Sequence, residues 1–292
     1  GRTPPGMLQR DLEGGGGPLS MSMASSAKRC PSQWWWRLRR MAPLVCLASF
    51  VVIFVVCVAV ALSSARGNPT PVTQTLLNIH VALDTVARKE AISLNGKLLS
   101  LEGSNQLVNL ATVEMPHITL YLTSFRSEVV GLVMDAVELA LQNQPSNCLV
   151  QLDPTVYASG AYAMWRVSKT PCLQGMSDAI VNATSQYISP NQPIPDWVYS
   201  IADPTLRQEK IDFVRKYGSP NVFDQFDPHV TIGYNDNVGQ LAQSVRTLQG
   251  SGLVHEVEFT VTMVQTSSVG PFGTVLRGGL RGAAAVPCGG QN

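Results

Sequence analysis

Residues 114–122 read EMPHITLYL, and residues 226–234 read FDPHVTIGY. Each stretch holds Pro, His, an aliphatic residue, Thr and a second aliphatic residue in that order. The chain has four histidines, and two of them stand in this frame. The alternation of β-forming residues predicts that both stretches are strands. In a strand, residues i and i+2 share a face. His117, Thr119 and Tyr121 are therefore expected on one side, with Ile118, Leu120 and Leu122 on the other. In the second copy, His229, Thr231 and Gly233 should share the polar side, opposed by Val230, Ile232 and Tyr234. The apolar sides would pack beneath helices, and the polar sides would line a common cleft.

The surrounding sequence supports a duplication. LLNIHVALD alternates and reads as a strand. The span 91–113 is ambiguous, with Gly96 and Gly103 suggesting turns. From Val129 to Leu141 the apolar residues recur at helical spacing, ending before Pro145. CLVQLDPTVYASGAYAMWRV reads as two strands around a turn, and SDAIVNATSQYI as a helix. Asp203 followed by Pro204 is a helix start, closed by Gly218. VGQLAQSVRTLQ is another helix, VHEVEFTVTMVQTSS one long strand, and FGTVLRGGL its hairpin partner. Strand, helix, strand, strand is thus written twice, each time opening on the His-x-Thr strand. The expected fold class is α+β, with bilobal, duplicated antiparallel sheets and outer helices.

Two imidazoles across a cleft suit acid–base work on a phosphodiester. Near neutral pH one can be neutral while the other is protonated. The neutral ring takes a proton from water or a ribose hydroxyl, and the protonated ring delivers one to the leaving oxygen. Hydroxyls at Thr119 and Thr231 can donate to non-bridging phosphate oxygens. Gly233 would leave room in the cleft, and Tyr121 could stack on a base or bond a phosphate. His80 lacks a companion Thr and reads as structural. His255 alternates with Val257 and Phe259 and reads as core or edge. Arg166, Lys169 and Arg277 could neutralise phosphate, against a default of solvated surface cations. No Cys or His spacing resembles a zinc site, and no cofactor is expected.

PHITL at 116–120 and PHVTI at 228–232 resemble the paired motifs of the two-histidine (2H) phosphoesterase superfamily, including its RNA-ligase-like and cyclic phosphodiesterase members. The resemblance spans roughly residues 75–282. It implies a bilobal fold with a central cleft and metal-independent action on 2′,3′-cyclic phosphates or 2′-5′ linkages of a nucleotide or oligonucleotide. His117, Thr119, His229 and Thr231 match the motif residue by residue. The gap between motifs is longer than in compact members, which the Pro-rich segment 189–225 accounts for. Two other classes compete: a catalytically silent phosphate- or nucleotide-binding module, and a single-pass surface protein whose His-x-Thr strands are structural.

A formal charge of +1 over 292 residues makes no global case for nucleic-acid steering. Residues 1–40 read as a disordered cytosolic tail. No charge interrupts the chain between Arg40 and Arg66, and a bilayer core needs roughly 20 such residues, so 41–64 is expected to be a transmembrane signal anchor contacting the lipid bilayer. Basic residues cluster before it, which places the N-terminus in the cytosol and the rest in a lumenal or extracellular space. Cleavage of a signal peptide, with secretion, is the alternative. A linker at 65–74 and a flexible tail at 283–292 complete the expected layout. Asn182-Ala183-Thr184 is a glycosylation sequon. Cys148 and Cys172 are disulfide candidates, which an oxidising compartment permits.

Overall fold

In the computed structural model, residues 73–287 are described. The membrane span expected at 41–64, the tail before it and most of the linker lie outside the described residues. Among the described residues no helix is long and apolar enough to cross a membrane.

Strand β1 (Gln74–Ala82) leads into helix α1 (Thr85–Glu102). The span read as ambiguous is therefore largely helical. The Asp84 side chain accepts from the Ala87 amide at 2.8 Å and starts the helix. Ala87, Ala91, Leu94 and Leu98 recur at helical spacing and are buried. Gly96 is simply an exposed position inside it, while Gly103, at φ 62°, ends it. The short β2 (Glu114–Met115) and the long β3 (His117–Arg126) follow. Helix α2 (Val130–Gln142), strands β4 (Leu149–Ser159) and β5 (Tyr162–Val167) and helix α3 (Pro171–Thr184) come next. A single helical turn, Asp196–Tyr199, precedes α4 (Pro204–Tyr217), whose Asp203 cap and Gly218 terminus are where the sequence placed them. The second motif is β6 (His229–Tyr234), followed by α5 (Val238–Gly250).

The chain closes with β7 (Val257–Thr260), β8 (Met263–Val269) and β9 (Val275–Ala285). The long strand expected over this region is thus two strands. The break at Val261-Thr262 sends them to different places: β7 pairs with β4, and β8 pairs with β1. Residues 283–285, expected in a flexible tail, are the last rungs of the β8–β9 ladder.

All strands join one antiparallel sheet in the order β2-β9-β8-β1-β3-β6-β5-β4-β7. Two separate sheets were expected. Instead the lobes are halves of one sheet, joined at its centre where β3 meets β6 at the Ile118–Val230 pair. The halves also interleave the two copies. β4 and β5, which follow the first motif, stand beside the second; β8 and β9, which follow the second, stand on the side of the first. Helices α2 and α3 back the β3–β9 half, and α1 and α5 back the other. Buried Asn95 ties α1 to the centre: its amide nitrogen donates to the carbonyls of Val108 and Ile232, each at 2.9 Å, and its oxygen accepts from the Leu110 amide.

The sheet is strongly curled. β2 is separated from β3 by Pro116 alone, yet it pairs with β9 at the far edge. Two residues of chain reach only about 7 Å. The β2–β9 edge must therefore fold back over the start of β3. Cys148 and Cys172 form a disulfide, with Cα atoms 5.7 Å apart, that fastens the start of β4 to α3. Asn182 is exposed on α3, while the Thr184 hydroxyl is buried and donates to the Ile180 carbonyl at 2.7 Å.

Gly233 and Gly96 make opposite predictions. A Cβ at Gly233 would stand 2.9 Å from Leu98 Cδ1 and closer still to the Gln106 amide, whereas one at Gly96 meets nothing within 4 Å. Gly233→Ala should lower the unfolding free energy read from guanidinium titration by about 1–3 kcal/mol, the cost of overpacking. Gly96→Ala should raise it by up to about 1 kcal/mol, the helix propensity difference.

Candidate active site at the junction of the two His-x-Thr strands

The register that sets Ile118 opposite Val230 puts His117 across from Thr231 and Thr119 across from His229. All four side chains share one face of the sheet. Ile118 and Val230 take the other face, where both are fully buried. The sequence therefore places the four motif residues on one surface, and the fold makes the two strands direct neighbours.

Each motif also carries a bulge at the same position. Against β1, the partners step from Ile79–Tyr121 to His80–Thr119, leaving Leu120 as an extra residue. Against β5, they step from Ala163–Gly233 to Met164–Thr231, leaving Ile232 extra. An inserted residue resets the alternation of a strand. Tyr121 and Gly233 thereby turn to the helix-covered side, away from the motif histidines. Tyr121 is 1% exposed, and its hydroxyl donates to the Tyr217 carbonyl. Burial pushes the phenol well above its ordinary value. The expected stacking or phosphate role of Tyr121 is corrected accordingly, since neither ring nor hydroxyl reaches the cleft. Gly233 makes room for Leu98 and Gln106 rather than for a ligand.

The same reset brings Tyr234 onto the motif side, where alternation did not place it. Its ring stacks on Phe272 at 4.0 Å and meets Tyr162 edge-on at 4.9 Å. Phe272 stands in the β8–β9 turn at φ 59°, so this contact joins the two halves of the sheet.

The proline before each histidine has a matching local effect. Proline restricts its own φ and the conformation of the residue before it. The carbonyl two residues back then accepts from the imidazole: His117 Nδ1 donates to Met115 at 2.8 Å, and His229 Nδ1 donates to Asp227 at 2.9 Å. A carbonyl can only accept, so each Nδ1 carries the hydrogen and each Nε2 keeps the free lone pair.

Asn78 on β1, which the sequence pattern does not single out, completes the first motif. Its amide nitrogen donates to His117 Nε2 at 3.1 Å and to Thr119 Oγ1 at 2.9 Å. With its lone pair so engaged, Thr119 is left with its own hydrogen to donate into the cleft. Asn78 and His80 are both fully buried, and the His80 ring lies 5.0 Å from that of His117, edge to face. The available signal was two polar residues at i and i+2 in an otherwise apolar strand. Arg166 is paired with His229 across β5–β6 and is exposed, with its guanidinium 5.4 Å from the Tyr157 ring centre. Lys169 is tied to the Asp224 carbonyl. His255 precedes β7 rather than alternating within it, and its exposed ring faces Glu90 at 3.5 Å. Among the described residues no three His, Cys, Asp or Glu side chains gather as a metal ion would require.

Burial pushes His117 down to about 3, with the neighbouring His80 ring adding to the fall. Burial lowers His80 and His229 as well, while the carbonyl and carboxylate of Asp227 draw His229 part of the way back. A histidine held neutral in the fold lets the unfolded chain take up protons first as pH falls. Stability should be level above the ordinary histidine value of about 6.5 and drop as pH falls through it. For His117 the loss ends only near about 3. Denaturant midpoints should therefore be lower at about pH 5.5 than at about pH 7.5. His117→Gln should shrink that difference, and an undiminished difference would exclude His117 as its source.

No protein-family model matches the chain, and no curated protein matches it. Among solved structures it is similar to TT0787 of Thermus thermophilus, at 12% identity and TM-score 0.44, over 72% of this chain and 97% of that one. It is also similar to Escherichia coli LigT complexed with NADP+, at 13% identity and TM-score 0.36, over 73% and 97% of the two chains. A third, described as a phosphoesterase, has 11% identity and TM-score 0.36, over 73% and 99%. At these values the likeness bears on neither activity nor ligand, and the chemistry follows from the chain's own geometry. In its paired PHITL and PHVTI motifs the chain resembles the 2H phosphoesterases.

Proposed function

We propose that the chain is a metal-independent phosphodiesterase acting on the 2′,3′-cyclic phosphate or 2′-5′ linkage of a nucleotide or RNA. The observation that carries this reading is the diagonal placement of two His–Thr pairs on one face, fixed by the Ile118–Val230 register. A phosphate at the junction meets one imidazole and one hydroxyl from each strand.

The surroundings of the two histidines give them different roles. His117 is 8% exposed, and its Nε2 accepts from Asn78, which favours the neutral ring. We assign it as general base: Nε2 takes the proton of the attacking water or ribose hydroxyl, whose hydrogen replaces that of Asn78. Burial lowers His229 too, but the Asp227 carbonyl and carboxylate offset part of that fall, a support for the protonated ring that His117 gets less of, because two other histidines push it further down. His229 delivers the proton to the leaving oxygen. Thr119 and Thr231 donate to non-bridging oxygens, and Arg166 adds a cation beside His229. Tyr234 offers aromatic surface to a base. Asn78 acts through its neighbours, holding the His117 ring and the Thr119 hydroxyl in fixed relation. We further propose that residues 41–64 anchor the enzyme to a membrane with its domain in an oxidising lumenal or extracellular space. The Cys148–Cys172 disulfide supports that compartment.

Assays on 2′,3′-cyclic nucleotides and 2′-5′ dinucleotides should show turnover that survives EDTA. His117→Ala and His229→Ala should each lose about 10²–10⁴-fold in kcat, and the double variant should lose far less than the product of the two. Thr119→Ala and Thr231→Ala should lose less than either histidine variant, with Thr→Ser in between. The alkaline limb of kcat/KM should disappear in His229→Ala residual activity but persist in His117→Ala. Turnover abolished by chelator and restored by a divalent metal would exclude this mechanism. Nucleotide binding without turnover would leave a binding module.

A further inference from the structure

The two motif bulges are capped in the same way. Leu120 and Ile232, the unmatched residues of β3 and β6, have no partner in the ladders on either side of them. A bulge breaks the ladder locally, so the carbonyl of its extra residue needs another donor. In both copies that donor is a side chain on a helix. Ser177 Oγ of α3 donates to the Leu120 carbonyl at 2.8 Å, and Asn95 Nδ2 of α1 donates to the Ile232 carbonyl at 2.9 Å. Ser177 and Asn95 are both fully buried. Each stands well inside its helix, a place that favours neither residue type.

The braces cross between the copies. In the chain, α1 lies between β1 and the first motif yet holds the second, and α3 lies between β5 and the second motif yet holds the first. Both braces are themselves anchored. Asn95 also donates to the Val108 carbonyl and accepts from the Leu110 amide, and α3 is fixed near its start by the Cys148–Cys172 disulfide. The anchoring matters because an unmatched residue can slide along a strand, trading one ladder pair for another. Each such slip turns a motif side chain to the wrong face of the sheet. A buried donor aimed at a single carbonyl removes that freedom.

We propose that Ser177 and Asn95 are positioning residues for the paired His–Thr site, each pinning the bulge of the opposite copy and so the face on which that copy's His and Thr stand. The effect on turnover rests on the phosphodiester reading of the paired histidines; the effect on the histidine rings does not.

The test uses the full chain labelled with nitrogen-15 in its four histidines, so that imidazole spectra read each ring separately. His117→Gln and His229→Gln assign the signals. Ser177→Ala should displace the His117 signals and leave those of His229 in place, and Asn95→Ser should do the reverse. General loosening of the core would move both rings in both variants. That pattern, or unmoved His117 signals in Ser177→Ala, overturns the proposal. Hydrolysis of adenosine 2′,3′-cyclic phosphate is followed in the same samples. Ser177→Ala should lose about tenfold in kcat with KM within about twofold of native, because a displaced base costs turnover rather than binding. A native kcat in Ser177→Ala also overturns the proposal. Should Asn95→Ser fail to fold for want of its bonds to Val108, Leu110 and Ile232, Ser177→Ala alone decides. Absence of hydrolysis in the native chain would remove the phosphodiesterase reading, while the imidazole spectra would still judge the pinning.

Discussion

The pairing of Ile118 with Val230 is the contact on which the rest of the site depends. It is an ordinary apolar pair, fully buried on the helix side of the sheet. Because strand residues alternate, its position dictates what lies on the opposite side. Sliding one strand by a single residue would turn every one of its motif side chains to the wrong face. The aliphatic residues of the two motifs are thus not packing filler around the histidines. They hold the register that brings a His and a Thr from each strand to one place.

The shared bulge is the second constraint. Leu120 and Ile232 occupy the same place in the two motifs, and each adds one residue that its neighbouring strand does not match. The strand can then present His and Thr to the cleft and still return its next side chain to the core. In the first copy that side chain is Tyr121, filling the layer beneath α4. In the second it is Gly233, whose lack of a side chain admits Leu98 and Gln106. One backbone device therefore serves two packing solutions, and the duplicated halves differ most where they meet different helices.

The two histidines begin from the same local geometry and end in unlike surroundings. In both, the bond from Nδ1 to the carbonyl two residues back leaves Nε2 with the lone pair. His117 then lies against Asn78 and His80 on a buried floor, whereas His229 is less covered and lies beside Asp227 and Arg166. The asymmetry comes from the neighbours β1 and β5, which supply different residues at equivalent positions. Under the proposed mechanism, the division of labour between acid and base would be encoded outside the motifs.

From residue patterns alone came the strands at 117 and 229, the helices with clear caps such as Asp203 to Gly218, the α+β class and the four motif residues. These depend on local backbone preference and on side-chain periodicity, which a linear sequence carries in full. Helix α1 was partly hidden because glycines at 96 and 103 mimic turns until the burial of Ala91, Leu94 and Leu98 is known. The single curled sheet, the parting of β7 from β8 and the interleaving of the copies rest on which strand edges meet, and hydrogen-bond partners distant in the chain leave no local trace. The bulges reversed the expected faces of Tyr121, Gly233 and Tyr234, since an unmatched residue exists only relative to a partner strand. Asn78 joined the site for the same reason: the polar pair Asn78 and His80 in LLNIHVALD marks the strand as unusual, but only the pairing of β1 with β3 makes the amide a bridge between His117 and Thr119.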